Sequence, residues 1–189
     1  MNKSKNEIFI DCLPLETTNL IIRQVSIDDV DLMLKMDKQE NTQKYLGGVK
    51  NKTHEERVAF LERKANRFNE GHAGQLTVCL KDGTPIGFTG LSINEKDNNA
   101  EISYLYDEDY TSNGYCTEAS KKLINVGFKK LNLHKIYGDT IDGNIASIKV
   151  FEHLGFVNEG VRREAAYFED SNEYKDFLDY GLLNSEYKE

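Results

Sequence analysis

The segment Tyr110-Thr111-Ser112-Asn113-Gly114-Tyr115-Cys116-Thr117-Glu118-Ala119 sets a Ser-Asn-Gly turn directly ahead of a helical pattern. The first turn of a helix carries N–H groups with no intrahelical partner and a partial positive charge, so it suits a phosphate or pyrophosphate. Gly114 lets the backbone approach such a ligand with no Cβ in the way. Thr111, Ser112, Asn113 and Thr117 add short polar groups that reach the same place. Taken alone, the segment reads first as an ordinary capped turn. It is not a Walker loop, because no Gly-Lys-Ser/Thr follows, and it lacks the other glycines of a dinucleotide fingerprint.

The elements that must hold this segment follow from hydrophobic period and turn chemistry. Residues 1–17 read as an irregular lead-in, and residues 19–25 as a β-rich first strand. Ser26-Ile27-Asp28-Asp29 is a helix cap, followed by Val30, Met33 and Leu34 on one stripe. Thr53-His54-Glu55-Glu56 is a second capping box, leading to Val58, Leu61 and Phe68, and Gly71 can end that helix. An Asp-Gly turn at Asp82-Gly83 joins β-rich residues 76–80 and 85–93, and residues 100–106 extend them to a three-stranded meander. A helix from Gly114 to about Leu131 comes next, then a strand over 135–141 and a helix over 146–154 closed by Gly155. Residues 156–161 and 174–183 are the last strands. The expectation is an α+β (α/β mixed sheet) fold, with a single domain over 18–189.

Composition narrows the function classes. The 189 residues fit one domain, and 30% charged with 39% hydrophobic residues is an ordinary globular balance. A net charge of -8 argues against a nucleic-acid binder, whose affinity rests on neutralising phosphates. Cys12, Cys79 and Cys116 have no metal-type spacing, nor do His54, His72, His134 and His153, so no metal is expected. The cysteines read as reduced thiols of a cytoplasmic protein. No apolar run approaches the ~18–20 residues of a membrane span, and the polar N-terminus lacks a signal h-region.

Further segments stand in a fixed order around the phosphate turn. They are Leu15-Glu16-Thr17-Thr18-Asn19-Leu20-Ile21-Ile22-Arg23, Gly83-Thr84-Pro85-Ile86-Gly87-Phe88-Thr89-Gly90-Leu91, and Ala100-Glu101-Ile102-Ser103-Tyr104-Leu105. Later come Asp142-Gly143-Asn144-Ile145-Ala146-Ser147 with Leu154-Gly155-Phe156, and a tail running from Val161-Arg162-Arg163-Glu164 through Tyr174-Lys175-Asp176 to Tyr180-Gly181-Leu182-Leu183. In this order they resemble the L-E-T-x-R-L-x-L-R, G-x-x-I-G-x-x-x-L, A-E-I-G-Y-W, N-x-x-S…L-G-F and L-R-E…Y-x-D…Y-x-L motifs of the GNAT N-acetyltransferase superfamily. Residues 110–119 resemble its acetyl-CoA motif, Q/R-x-x-G-x-G/A. The opening strand and the tail are similar to the branch that acetylates alanine and serine N-termini of ribosomal proteins.

The resemblance implies the acyl-CoA N-acyltransferase fold, a mostly antiparallel sheet with flanking helices and a splayed strand pair. It implies acetyl-CoA as co-substrate, no metal, and direct attack of an amine on the thioester in a ternary complex. In the family the strand before the phosphate loop pairs with pantetheine through its backbone, which points here to residues 103–106. Leu105 and Tyr106 are then the leading contacts, and a backbone N–H there is the oxyanion donor. The implied cofactor-binding set is Leu105, Tyr106, Thr111, Ser112, Asn113, Gly114, Tyr115, Cys116, Thr117, Asn144, Ser147 and Phe151. Two residues depart from the motif. Thr111 stands at the Q/R position, which forgoes a charge-assisted bond of roughly 1.5–3 kcal/mol, and Cys116 stands at a position for Gly or Ala.

Glu101 shares a strand face with Ser103 and is the leading general base, against a plain structural ion pair. Glu164 ranks behind it. Many relatives carry a tyrosine acid three residues before L-G-F; that position is Phe151, which has no proton to give. By resemblance Ser147 takes the acid role, against merely capping its helix. An α-amine titrates near 7.7–8 and a lysine near 10.4, a difference of roughly 2.5 units or about 3.4 kcal/mol. A peptide N-terminal α-amine therefore suits this site better than a lysine. The alternatives are a small-molecule N-acetyltransferase (aminosugar, polyamine or antibiotic) and a non-catalytic acyl-CoA-binding module. The acceptor region is expected from the first helices, Tyr45-Leu46-Gly47-Gly48 and a loop over 164–176, in a monomer or homodimer with no nucleic-acid or membrane partner.

Overall fold

A computed structural model describes residues 3–46, 52–169 and 171–188. The chain runs α1 (Lys5–Asp11), β1 (Leu15–Glu16), β2 (Leu20–Gln24), α2 (Val30–Asp37), α3 (Glu40–Leu46), α4 (His54–Asn69), β3 (Gln75–Leu80), β4 (Pro85–Asn94) and β5 (Asn99–Tyr106). It continues α5 (Tyr115–Lys129), β6 (Lys135–Ile141), α6 (Ile145–His153), β7 (Val157–Phe168) and β8 (Glu173–Leu183). The strands form one sheet in the order β1-β2-β3-β4-β5-β6-β8-β7. Every pairing is antiparallel except β5 with β6. The expected mixed, mostly antiparallel sheet with flanking helices is the fold.

Both sequence-read capping boxes form: Ser26 and Asp29 close one, and Thr53 and Glu56 the other. Helix α5 packs on β2, β4 and β5, while α2 packs on α4 and β4. Asp29 is 1% exposed, and Arg23 binds it at 2.7 and 3.0 Å with Thr77 donating at 2.6 Å. That polar knot ties β2 and β3 to the start of α2. Burial opposes the Asp29 charge, but these partners together hold its carboxyl below the usual range.

Three expectations are corrected. The lead-in is not irregular: Ser4 and Glu7 make a capping box on α1, which buries Phe9 completely. Its apolar residues Ile8, Phe9 and Ile10 are consecutive, so no helical period marks it. Helix α3 was not expected, since Glu40–Leu46 is polar and carries a single buried residue, Thr42. Gly47 and Gly48 lie outside the described residues. The described residues of 164–176 are not a loop but the far end of a long hairpin, in which β7 continues to Phe168 through an irregularity between Arg162 and Ala166. Glu164 sits in that irregularity with φ +50, and its N–H donates to Asp176 at 2.7 Å.

Candidate active site

Strands β5 and β6 pair only at Asn99–Lys135, Ala100–Ile136 and Glu101–Tyr137, then separate. The wedge between them opens into a cavity of about 700 Å³. Its walls are β5 from Glu101 to Tyr106, the turn into α5, the start of α6, and α3. Main-chain direction within β5 follows from two bonds. Asp107 N–H donates to Ile86 O at 3.0 Å, and Ser103 O accepts from Thr89 Oγ1 at 3.0 Å, so residues 103, 105 and 107 turn their backbone toward β4. Tyr104 and Tyr106 alternate with them and turn theirs into the wedge. Leu105 also lines the cavity.

The turn ahead of α5 is built by two left-handed residues, Ser112 at φ +63 and Gly114 at φ +80. A Cβ at Gly114 would meet nothing within 4 Å, so glycine is needed there for its φ and not for room. No side chain caps α5. Its first internal bond is Glu118 N–H to Gly114 O at 2.9 Å, so the N–H groups of Tyr115, Cys116 and Thr117 precede the ladder at the cavity wall. Thr111 Oγ1 donates to Glu108 O at 2.9 Å and Asn113 Nδ2 to Thr111 O at 3.0 Å. Those two side chains hold the turn itself, and Asn113 is the one residue of the implied set outside the cavity wall. The Cys116 thiol lies against Ser120, where burial pushes it up to about 12.

Asn144 caps α6 by accepting from Ser147 N–H at 3.3 Å, so the capping role weighed for Ser147 belongs to Asn144. The Ser147 hydroxyl is released for another partner, Tyr104, whose hydroxyl stands 2.9 Å away. Phe151 is 1% exposed and stacks on Tyr180 with centroids 4.8 Å apart. It forms the cavity floor. Tyr104 is the residue that sequence reading left without a role. The only signal was its place in the Glu101–Leu105 motif, because the partner hydroxyl is 43 positions away.

Glu101 stands where the cavity meets a second, polar groove of about 520 Å³ lined by Asp139, Asp179, Glu159, Lys135 and Arg162. Burial raises the Glu101 carboxyl above its usual range; Asp139 adds to this and Arg162 opposes it. Arg162 bridges Asp139 and Asp179, the latter at 2.9 and 3.1 Å. Glu164 lines neither space. Across the cavity, α3 contributes Asn41, Thr42, Tyr45 and Leu46. A latch holds that side: Lys35 Nζ reaches Asp107 at 2.6 Å and Asp109 at 2.5 Å, and Gln39 Nε2 donates to Asp107 at 2.6 Å. Asn41 N–H donates to Glu108 at 2.7 Å. Among the described residues no helix is long and apolar enough to cross a membrane, and no cluster of His, Cys, Asp and Glu could hold a metal ion.

A mostly antiparallel sheet opened by one splayed parallel pair, with a bare helix N-terminus at the mouth of the opening, is the architecture of acyl-CoA-dependent N-acyltransferases. Residues 19–157 match the acetyltransferase (GNAT) domain, and the chain belongs to that family of N-acetyltransferases. It is 28% identical over 176 residues to the uncharacterized N-acetyltransferase p20 of Bacillus licheniformis, covering 92% of this chain and 97% of that one. The ribosomal-protein-S5-alanine acetyltransferase of Vibrio fischeri superposes with a TM-score of 0.77 at 22% identity, over 93% of this chain and 98% of that one. The spermidine N-acetyltransferase of Vibrio cholerae, solved with CoA and spermine, also gives 0.77 at 22%, over 90% and 99%. Two neighbours with different acceptors fit equally well, so likeness at this level carries the fold and leaves the acceptor open.

Proposed function

We propose that this protein transfers the acetyl group of acetyl-CoA to a peptide N-terminal α-amine by direct attack. The observation that carries the reading is the continuity of the open β5 edge with the bare N-terminus of α5, in a cavity that also holds Glu101 and Ser147. These residues fit the co-substrate. The N–H groups of residues 115–117 would hold the pyrophosphate, and the main chain of Tyr104 and Tyr106 would pair with pantetheine. Thr111 is committed to the turn, so backbone amides do the work that an arginine would share. Leu105, Tyr115, Thr117 and Asn144 would flank the cofactor. When bound, acetyl-CoA supplies an activated thioester.

The chain's own residues would do the rest. Glu101 would take the amine's proton, directly or through water, and its raised carboxyl makes it a better base than an exposed glutamate. A main-chain N–H of the splayed strand would stabilise the carbonyl oxygen, and Ser147 would serve the departing sulfur. An α-amine needs about 3.4 kcal/mol less deprotonation work than a lysine, which suits a carboxylate base. A polyamine is the second reading, supported by the carboxylates of the polar groove, although Arg162 already engages two of them.

The test is thiol release from acetyl-CoA with free and N-terminally blocked peptides, lysine derivatives and polyamines, after CoA binding is established by calorimetry. Turnover of free peptides that blocking abolishes supports the α-amine. Turnover of polyamines alone moves the assignment to the second reading. Tight binding with no turnover of any amine would make the protein a non-catalytic acyl-CoA module.

A further inference from the structure

Two hydroxyls from two different elements converge on one point of the cavity wall. Tyr104 on β5 and Ser147 on α6 stand 2.9 Å apart, and Tyr104 also donates to the Ser147 carbonyl at 3.4 Å. Both line the cavity where the wedge narrows toward Glu101. The Tyr104 ring rests beside Phe151, with centroids 5.7 Å apart, so the helix position that lacks a hydroxyl has one supplied from the neighbouring strand. The pair holds two hydroxyl protons. One closes the Tyr104–Ser147 bond, and the other, polarised by the first, is free for a group in the cavity.

We propose that Tyr104 and Ser147 together form a hydrogen-bonding pocket for the sulfur of the leaving thiolate, stabilising its charge while both hydroxyls keep their protons. The inference rests on the acetyl-transfer reading above and revises Ser147 from proton donor to hydrogen-bond donor. Burial holds the Tyr104 phenol well above the ordinary tyrosine range. A thiol titrates near ~8.5, so full proton transfer from that phenol to a thiolate runs uphill, whereas hydrogen-bond donation does not. The ionisable neighbours are Cys116 on α5, Tyr106 on β5 and Tyr180 on β8. Cys116 is pushed to about 12 and stays neutral over the working range. The step balances without a new acid. The amine lone pair forms the C–N bond, the C–S bond breaks with its electrons going to sulfur, and the amine proton passes to Glu101 or water. The thiolate leaves as such and takes a proton from solvent.

The decisive measurement is the thiol pKa of bound CoA, read from thiolate absorbance against the same protein with desulfo-CoA. The expected wild-type value lies below that of free CoA by ~1 unit, a tenfold stabilisation of the thiolate. Tyr104→Phe and Ser147→Ala each raise it part of the way, and the double variant returns it to the free value or above. The accompanying fall in kcat is about a hundredfold to a thousandfold for a lost donor to a developing anion. A double variant whose bound thiol titrates like the wild type overturns the proposal, as does phenolate absorbance appearing in step with the bound thiolate. Failure of the wild type to bind CoA at all would sink the acetyl-transfer reading and this pocket with it. Binding with an unshifted thiol sinks the pocket alone.

Discussion

The two sides of the cavity are built by different means. The side proposed for the cofactor consists of β5, the turn at 111–114 and the first residues of α5, and the groups it offers are backbone N–H and C=O positioned by local geometry. The side proposed for the acceptor is α3, held by Lys35, Gln39 and Asn41 on Asp107, Asp109 and Glu108 across 67 to 74 positions of sequence. A backbone site tolerates changes in side chains, so Thr111 and Cys116 at motif positions leave the proposed binding groups in place. A latched site depends on a few charges, and each is a point of failure. Glu101, on β5, is shared between the cavity and the polar groove behind it.

That shared position makes Glu101 the largest expected effect. Glu101→Gln keeps shape and removes the base, so kcat/KM for the amine should fall by ~10²–10⁴. The CoA Kd should not move, because the proposed pyrophosphate contacts are main-chain. Steady-state kinetics with calorimetry on the same sample checks both. An unchanged kcat/KM removes Glu101 from the chemistry.

Asp107→Asn attacks the latch. Asp107 is 1% exposed, and burial opposes its charge, but Lys35, Gln39 and the Asp109 N–H hold its carboxyl below the usual range. The acceptor KM should rise about tenfold, the scale of a lost charged hydrogen bond, with acetyl-CoA KM unchanged. The pH sign follows from the lowered carboxyl. The latch is complete above the ordinary carboxylate range and is lost only as pH falls through the lowered value. Acceptor KM should therefore be flat near neutrality and climb in acid. Equal increases in both KM values would show that the two sides are mechanically one.

Gly114→Ala tests the cofactor side by its backbone alone. The new Cβ meets no atom within 4 Å, so the cost is that of a left-handed L-residue, about 1–2 kcal/mol. CoA affinity should weaken about fivefold to thirtyfold by calorimetry, while Thr111→Ala should change it less than twofold. The reverse ranking would return the pyrophosphate to side-chain control.

The contrast also explains what the sequence could disclose. Cofactor-side elements carry local signals: the Asp82-Gly83 hairpin, the glycine ahead of α5 and the Leu154-Gly155-Phe156 closure each declare themselves within a few residues. The latch does not, since Lys35 and Asp107 are ordinary surface-type residues until the fold joins them. Helix α3 was invisible for the same reason, being held by polar contacts to a distant turn and not by an apolar stripe. The Tyr104–Ser147 pair was half legible. Ser147 stood in a motif, and its partner emerged only when β5 and α6 met.

The smallest and sharpest effect concerns the groove behind Glu101. Arg162 lowers the Glu101 carboxyl, whereas burial and Asp139 raise it. Arg162→Gln removes the opposing cation and also releases Asp139 and Asp179 from their bridge, so both changes push Glu101 further up. With Glu101 as the proposed base, activity requires the ionised carboxylate and declines as pH drops through its pKa. The wild-type acid limb should thus lie above the ordinary glutamate value of about 4.3, and in the variant it should move to higher pH by several tenths to ~1 unit, the scale of a neighbouring charge near a surface. The pH profile of kcat/KM for the amine is the measurement, with kcat at the plateau nearly unchanged. A limb that stays in place would separate Arg162 from the base and confine it to holding β6, β7 and β8 together. A limb that moves in Arg162→Gln but disappears in Glu101→Gln would tie the limb to Glu101.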